Sequence, residues 1–421
     1  MNIWYLHHYA TPYEIAGLHR PFEFGAYFKK ENNDITVFSS SYLHYEDRNI
    51  IKDNDAFVEK IYDGIKTVYV KTCGYSKSGI ARVVNMWQFF WGMMCIYKKI
   101  TKNGNIPDII VASSPHPLTM LAGIKIAKKL GIPCVCEVRD LWPEVFFYGG
   151  RVKEKSIVGK LLLWGEKYLY EKSTAIVFLK EGDYTYIVDH KWDSKNGGKI
   201  NLGKCYYVNN GVDISLFDKR KEECVFQDDD LENKKFKVVY CGTIRPVNKV
   251  DILLDVAKIL GNKVDILIYG MGSCLEDLEQ RVKNEKIINV KLKGYVENKY
   301  IPYILSKSDV NILNYSGTAY NWTRGNSSNK LFEYLASERP VVSTVKMGYD
   351  ILERYQCGFS ADMCTPEKIA ACIEKTMSQT ESEYIKMCRN AREAAENFDI
   401  PVLAKKYLNL LIEIKGDNSN D

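Results

Sequence analysis

The chain has 421 residues, 46% hydrophobic and 26% charged, a balance that excludes wholesale disorder. Its 58 Lys and Arg against 53 Asp and Glu leave a formal charge of +5, too weak an excess for a dedicated nucleic-acid binder. The 12 Cys form no C-x-x-C pair, which argues against zinc and redox motifs and for reduced cytosolic thiols.

Short β-branched or aromatic runs alternate with helical patterns along the chain. The first residues lack a charged region followed by a long apolar core, so no signal peptide is expected. Strands are predicted near 2–6, 34–39, 66–70, 108–112, 133–138, 174–178 and 205–208. Helices are predicted near 17–30, 81–103, 117–130 and 155–172. The most apolar window, 83–97, is broken by Asn85 and Gln88 and falls short of the roughly 20 apolar residues of a membrane span. A polar stretch, 218–235, contains no strand pattern, and Asp228-Asp229-Asp230 within it reads as a solvated charge run. The alternation then restarts, with strands near 236–241, 264–269, 288–292, 309–314 and 340–344 and helices near 249–260, 274–284, 298–307, 328–338 and 366–378.

Five- or six-residue apolar runs between helices predict parallel sheets covered on both faces. The expected architecture is α/β, with two Rossmann-like doubly wound domains facing a cleft. An amino-terminal domain over 1–215 is followed by a second domain over 216–399. A helix at 400–415 is expected to pack back on the first domain, and 416–421 to form a disordered tail. In such sheets ligands sit at the carboxyl ends of the strands.

Several segments at predicted strand or helix ends could carry chemistry. Ser327-Ser328-Asn329-Lys330 precedes an amphipathic run containing Glu333, and either serine is a natural N-cap. Backbone N–H groups at a helix start favour anions, although the pattern also fits an ordinary capped surface helix. Gly242-Thr243-Ile244-Arg245 and Lys249 follow the first strand of the second half, where the two cations could meet a diphosphate. Gly270 belongs to an incomplete glycine fingerprint, with Leu275 at its last position, which disfavours a nicotinamide enzyme. Arg139-Asp140 ends a strand in the first half and fits either a structural pair or a ligand-facing one. Ser114-Pro115-His116-Pro117 reads as a turn. The six His show no metal spacing and read as ordinary polar residues.

Together these residues resemble a bacterial glycosyltransferase of family 4 with the GT-B fold. Val208 to Phe217, VNNGVDISLF, looks like the family's N-G-V-D…F signature. Arg139 to Glu144, RDLWPE, resembles a segment of the surface-polysaccharide subgroup, which includes proteins similar to N-acetyl-L-fucosamine transferases. Arg245 and Lys249 match the family's ligands to the donor diphosphate. Residues 327–330 match its phosphate-binding helix start, and Glu333 matches the second Glu of its E-x7-E motif, which binds the donor ribose. Gly325 stands where many relatives have the first Glu, and is read as a change in sugar recognition. Gly17, in Ala16-Gly17, occupies part of a loop where relatives have two glycines, and Val250 stands where a glycine is usual.

The resemblance implies transfer of a sugar, with retention and without a metal, from a nucleotide diphosphate donor. UDP is favoured. The implied acceptor is a glycan or a polyprenyl-diphosphate-linked saccharide in O-antigen or capsule synthesis. Arg245 and Lys249 are the implied catalytic cations, and Arg139 and Asp140 the residues that position the acceptor. Gly17, Gly242, Gly270, Ser327, Ser328, Asn329, Lys330 and Glu333 are the expected donor contacts. A sugar-nucleotide epimerase of the same fold and a non-catalytic nucleotide-binding relative are the alternatives. Basic and aromatic residues in 82–99 and 151–172 add an expectation of a cytoplasmic protein touching an anionic membrane surface, with core packing the favoured alternative for the first segment.

Overall fold

The computed structural model describes residues 1–75, 79–102, 104–318 and 321–418. They form two compact units: Met1–Asn209 with Leu403–Asp421, and Asn210–Val402. The first unit contains strands β1 (Asn2–His7), β2 (Asp34–Ser40), β3 (Tyr42–Leu43), β4 (Arg48–Asn49), β5 (Phe57–Tyr62), β6 (Ile65–Val70), β7 (Ile109–Ser113), β8 (Cys134–Val138), β9 (Ala175–Phe178) and β10 (Cys205–Tyr207). Strands β3 and β4 pair as a separate ribbon, and the other eight form one sheet in the order β10-β9-β8-β7-β1-β2-β6-β5. Every neighbour in that sheet is parallel except β5, which returns antiparallel on β6 as a hairpin.

The second unit carries β11 (Phe236–Cys241), β12 (Val264–Tyr269), β13 (Val290–Gly294), β14 (Val310–Leu313), β15 (Val341–Ser343) and β16 (Gly358–Ser360). They form an all-parallel sheet in the order β13-β12-β11-β14-β15-β16. Both sheets are doubly wound, so the central strands are buried on both faces. Ile3 to Leu6 in β1 and Val238 to Tyr240 in β11 are fully buried. The strand order reverses between β1 and β7 in the first unit and between β11 and β14 in the second. Chains diverge at such points and leave a crevice outside the carboxyl ends of the strands.

The structure adds elements that an apolar-run reading passes over. Strand β5 has an exposed, charged centre and no apolar run. Helix Glu381–Asn397 buries mostly alanines, but Thr380 and Glu383 form a full capping box at its start. Helices Ile214–Glu223 and Trp142–Tyr148 are also present. Three expectations are corrected. The run at Asp228 is solvated only in part: Asp229 is exposed, but Asp228 is largely buried, accepts from the Tyr269 hydroxyl at 2.7 Å and pairs with Lys293 at 2.7 Å. His116 is not part of a loose turn but the buried residue preceding helix Pro117–Leu130. Helix Ile400–Asn418 includes the first residues of the expected tail, and residues 419–421 lie outside the described ones.

Candidate functional site in the second unit

The carboxyl ends of β11 and β14 hold a polar cluster built by two segments. The first runs from Gly242 to Lys249. The Gly242 N–H donates to Tyr269 O at 2.9 Å, and the Ile244 N–H to Met271 O at 2.9 Å, so this loop lies along the loop that follows β12. Glycine is needed at that contact: a Cβ on Gly270 would sit 1.8 Å from Gly242 O. The loop closes on itself through Asn248, whose amide donates to Thr243 Oγ1 at 3.1 Å. Asn314, just past β14, fixes its far end by donating to Lys249 O at 2.9 Å. Lys249 is left-handed, with φ 44°, and half-buried, while Arg245 projects into solvent. Val250, where relatives have glycine, is buried in the core.

The second segment is the helix Asn329–Ala336. Ser328 is its N-cap residue, but its hydroxyl does not cap the helix amides. The Ser328 hydroxyl is engaged instead by the Tyr315 hydroxyl, and its N–H donates to Asn326 Oδ1 at 2.9 Å. Ser327 is held through its carbonyl, which accepts from Asn210 Nδ2 at 2.7 Å. Tyr334 locks the helix onto the sheet, donating to Cys241 O at 2.9 Å and accepting from the Cys241 N–H at 3.0 Å. Sequence reasoning missed Asn210 and Tyr334 because each works through partners about 90 or more residues away.

Lys330 connects the two segments. Its Nζ donates to the Tyr240 hydroxyl at 3.1 Å and lies over the Tyr240 and Tyr315 rings at 5.0 and 5.5 Å. A Cβ on Gly242 would come within 2.5 Å of the Lys330 side chain, so the glycine admits this lysine. Desolvation first, then the nearby Arg245 charge, lowers the ammonium pKa to about 8, opposed by Glu333 and Cys241. Glu333 lies close enough to act on both Lys330 and the Cys241 thiol, whose pKa burial raises. Arg245, Lys330, Glu333 and Gly242 therefore gather at one sheet end, with Lys249 in the same loop. Gly325 has φ 102°, a backbone that a glutamate would adopt only with strain.

Beside Gly242 lies a third feature, a cavity of about 270 Å³ walled by Tyr269, Met271, Tyr295 and Val296. Among the described residues, no group of three or more His, Cys, Asp or Glu side chains is placed to hold a metal ion.

The first unit carries the remaining expected residues. A Cβ on Gly17 would lie 2.1 Å from Thr11 Oγ1, in the loop after β1. Asp140 is exposed and makes no ion pair with Arg139 among the described residues. The Arg139 N–H donates to Ser114 Oγ at 2.9 Å, and its charge acts on Glu137 and His7. The reading of the histidines as ordinary polar residues is corrected here. His7, His8 and His116 are buried at the carboxyl ends of β1 and β7. Burial lowers the pKa of His7 and His8 to about 3, with Arg139 adding to the shift at His7. His8 Nε2 meets Asn85 Oδ1 at 2.7 Å, while His8 Nδ1, His7 Nε2 and His116 Nδ1 find no partner among the described residues.

Residues 235–379, most of the second unit, match the family model Glycosyl transferases group 1. No curated protein matches the sequence. The whole chain is similar in structure to HepE from Anabaena, solved with UDP. The TM-score is 0.68 and the identity 14%, covering 98% of this chain and 100% of that one. It is similar to sucrose-phosphate synthase from Thermosynechococcus elongatus with TM-score 0.71 and 13% identity, over 99% of both chains. WaaG, a glycosyltransferase involved in lipopolysaccharide biosynthesis, gives TM-score 0.64 and 13% identity, over 97% of this chain and 99% of that one. At these identities the likeness is one of fold. The two Rossmann-like units have the GT-B fold, and the second of them carries the glycosyl transferases group 1 domain.

Proposed function

We propose that the chain moves a sugar from a nucleoside diphosphate donor, UDP-linked by preference, to a hydroxyl of a glycan or lipid-linked acceptor in surface polysaccharide synthesis. The observation that carries this reading is the convergence of Arg245, Lys330, Glu333 and a helix start whose N-cap hydroxyl is turned away from its amides, at the end of β11 and inside the matched domain. HepE, of the same fold, is solved with UDP and with UDP-glucose, which supports the choice of nucleotide.

In this reading the base enters the cavity beside Gly242 and Gly270, and Glu333 accepts hydrogen bonds from the ribose hydroxyls. The diphosphate lies against Arg245, Lys249, Lys330 and the helix start at Ser327, Ser328 and Asn329. As the glycosidic bond breaks, the sugar gains oxocarbenium character and negative charge grows on the leaving diphosphate. The cations and helix amides stabilise that charge without reorganising. The leaving phosphate oxygen takes the proton of the attacking acceptor hydroxyl, so the new bond forms on the face the diphosphate leaves, with retention. Arg139, Asp140 and the loop at Gly17 act on the acceptor side. A lipid-linked acceptor puts the reaction at the inner face of the cytoplasmic membrane.

Thermal shift against UDP, GDP and a panel of nucleotide sugars tests the donor reading. A ligand at 100 times its dissociation constant stabilises by about 2.7 kcal/mol, and UDP should do so where GDP does not. Anomeric configuration of the product by NMR tests retention. No shift with any nucleotide would overturn the reading.

A further inference from the structure

Two helices of the first unit are apolar on both faces. Helix Gly79–Thr101 buries Phe89, Phe90, Met93 and Ile96 and turns Ile80, Val83, Val84, Trp87 and Trp91 to solvent. Helix Ile157–Lys172 buries Leu169 and Tyr170, while Ile157, Leu161, Trp164 and Tyr168 form an outward stripe at helical spacing. Ile157 is 87% exposed, Leu161 63% and Trp164 65%. Single exposed apolar residues need no explanation, but contiguous patches mark interaction surfaces.

Beneath this patch lies a cavity of about 590 Å³, within the usual size of a ligand site of roughly 300–1,000 Å³. Its walls are almost wholly apolar, with Trp87, Leu121, Trp142, Leu162 and Leu169 among them. Two ionisable side chains reach the wall, Lys125 and Glu166. Both Glu166 oxygens are occupied, by the Tyr170 hydroxyl at 2.8 Å and the Tyr186 hydroxyl at 2.7 Å, so the cavity offers little to a polar ligand.

Gly165, also in the wall, bears on what the cavity is for. Glycine inside a helix is disfavoured relative to alanine. At Gly159 in the same helix packing demands it, since a Cβ there would lie 2.4 Å from Glu154 O. At Gly165 an added Cβ meets no atom within 4 Å, and φ is not positive. The chain's own packing therefore has no need of this glycine, and its effect is to keep the cavity open.

The charge around the patch is mostly positive. Helix Gly79–Thr101 carries Arg82, Lys98 and Lys99, and helix Pro117–Leu130 carries Lys125, Lys128 and Lys129, with no acidic residue in either. The segment 151–172 has six Lys and Arg against three Glu. Among the described residues no helix is long and apolar enough to cross a membrane, so the patch is one to lie on a surface.

We propose that this face of the first unit docks on an anionic lipid bilayer and that the cavity takes one hydrocarbon chain of a bilayer lipid. A bilayer meets both features at once. Trp87, Trp91, Leu161 and Trp164 enter the boundary between headgroups and acyl chains, and the lysines reach lipid phosphates. The inference deepens the reading of a membrane-side reaction and rests on it for its purpose, but its test does not use turnover.

The full chain is sedimented at low salt with vesicles of phosphatidylcholine, with and without phosphatidylglycerol, in ordinary and chain-brominated form. Binding is expected only with phosphatidylglycerol, with tryptophan fluorescence quenched by the brominated chains. Gly165→Phe, which fills the cavity, should keep its melting temperature and its response to UDP yet lose about fivefold or more in vesicle affinity and most of the quenching. The doubly substituted Leu161→Glu, Trp164→Glu, altered only at exposed positions, should lose about tenfold or more. Three results would overturn the proposal: no vesicle binding at low salt, binding by Gly165→Phe equal to wild type, or self-association in place of lipid binding. Vesicle binding by a protein that ignores UDP would sink the donor reading and leave this one standing.

Discussion

Two crevices, one in each unit, sit at the same place in the same kind of sheet and have opposite chemistry. In the second unit the reversal between β11 and β14 carries Arg245 and Lys249 in the loop that opens at Gly242, with Lys330 in the first turn of a helix at the same end. In the first unit the reversal between β1 and β7 carries His7, His8 and His116, all buried, with His7 and His8 held neutral by that burial. One end gathers cations. The other packs neutral imidazoles and aromatic rings together, with Tyr9 on His8 at 4.4 Å. The parallel sheet supplies the position, and the loop residues supply the chemistry.

The contrast is broken most severely at the cations. Arg245→Ala or Lys249→Ala should slow single-turnover transfer at saturating donor by about 10²–10³-fold, with a smaller change in donor Kd. Wild-type rates at saturation would remove these residues from the leaving group.

The neutral histidines give the next effect, on stability. An unfolded His binds a proton near pH 6.5, whereas His7 and His8 in the fold resist protonation down to about pH 3. Below pH 6.5 the unfolded state therefore holds more protons, and stability falls with falling pH by up to about 1.4 kcal/mol per pH unit for each histidine. Urea unfolding at pH 7, 6 and 5 should show this slope, and His7→Gln should reduce it; a variant with the wild-type slope would contradict the assignment.

Glu333 sharpens the distinction between holding the donor and breaking it. In the proposed donor mode it holds the ribose before and during the reaction, so Glu333→Ala should weaken donor binding by roughly tenfold or more and spare the saturated rate. A rate defect without a binding defect would move Glu333 to the reacting centre.

Lys330 should give a milder effect. With its pKa lowered to about 8, it is a cation below that pH and loses its charge above it. Donor affinity should fall severalfold between pH 7 and 9.5 in calorimetric titration, and Lys330→Met should be weaker and flat over that range. The smallest effect expected is none. With charge stabilisation assigned to protein cations, EDTA should leave activity unchanged, and loss restored by manganese or magnesium would overturn that assignment.

Much of the second unit's site was legible because it is local. Gly242 through Lys249 and Ser327 through Glu333 are short segments whose strand-to-loop and loop-to-helix order shows in the sequence. The roles within them were less legible. Ser328 reads as a cap, but Tyr315 takes its hydroxyl; Gly270 reads as a donor contact, but its immediate demand is the approach of Gly242 O. The buried histidines carried no signal, because His7-His8 and His116 lie far apart in sequence and have no motif spacing.

The sequence by itself determined the strands and helices whose apolar pattern is complete within a few residues, as in DIIVA and FKVVYC. A parallel strand buried on both faces must be apolar throughout, so its composition declares it. Tertiary structure alone decided what needs a distant partner. The Tyr334 hydroxyl meets the Cys241 backbone, Asp228 gives up solvent for Lys293 and Tyr269, and the hairpin strand β5 forms only because β6 offers an edge. Burial itself belongs with these. The same imidazole titrates near neutrality in water and near pH 3 between packed strands, because the charged form is stable only where solvent reaches it.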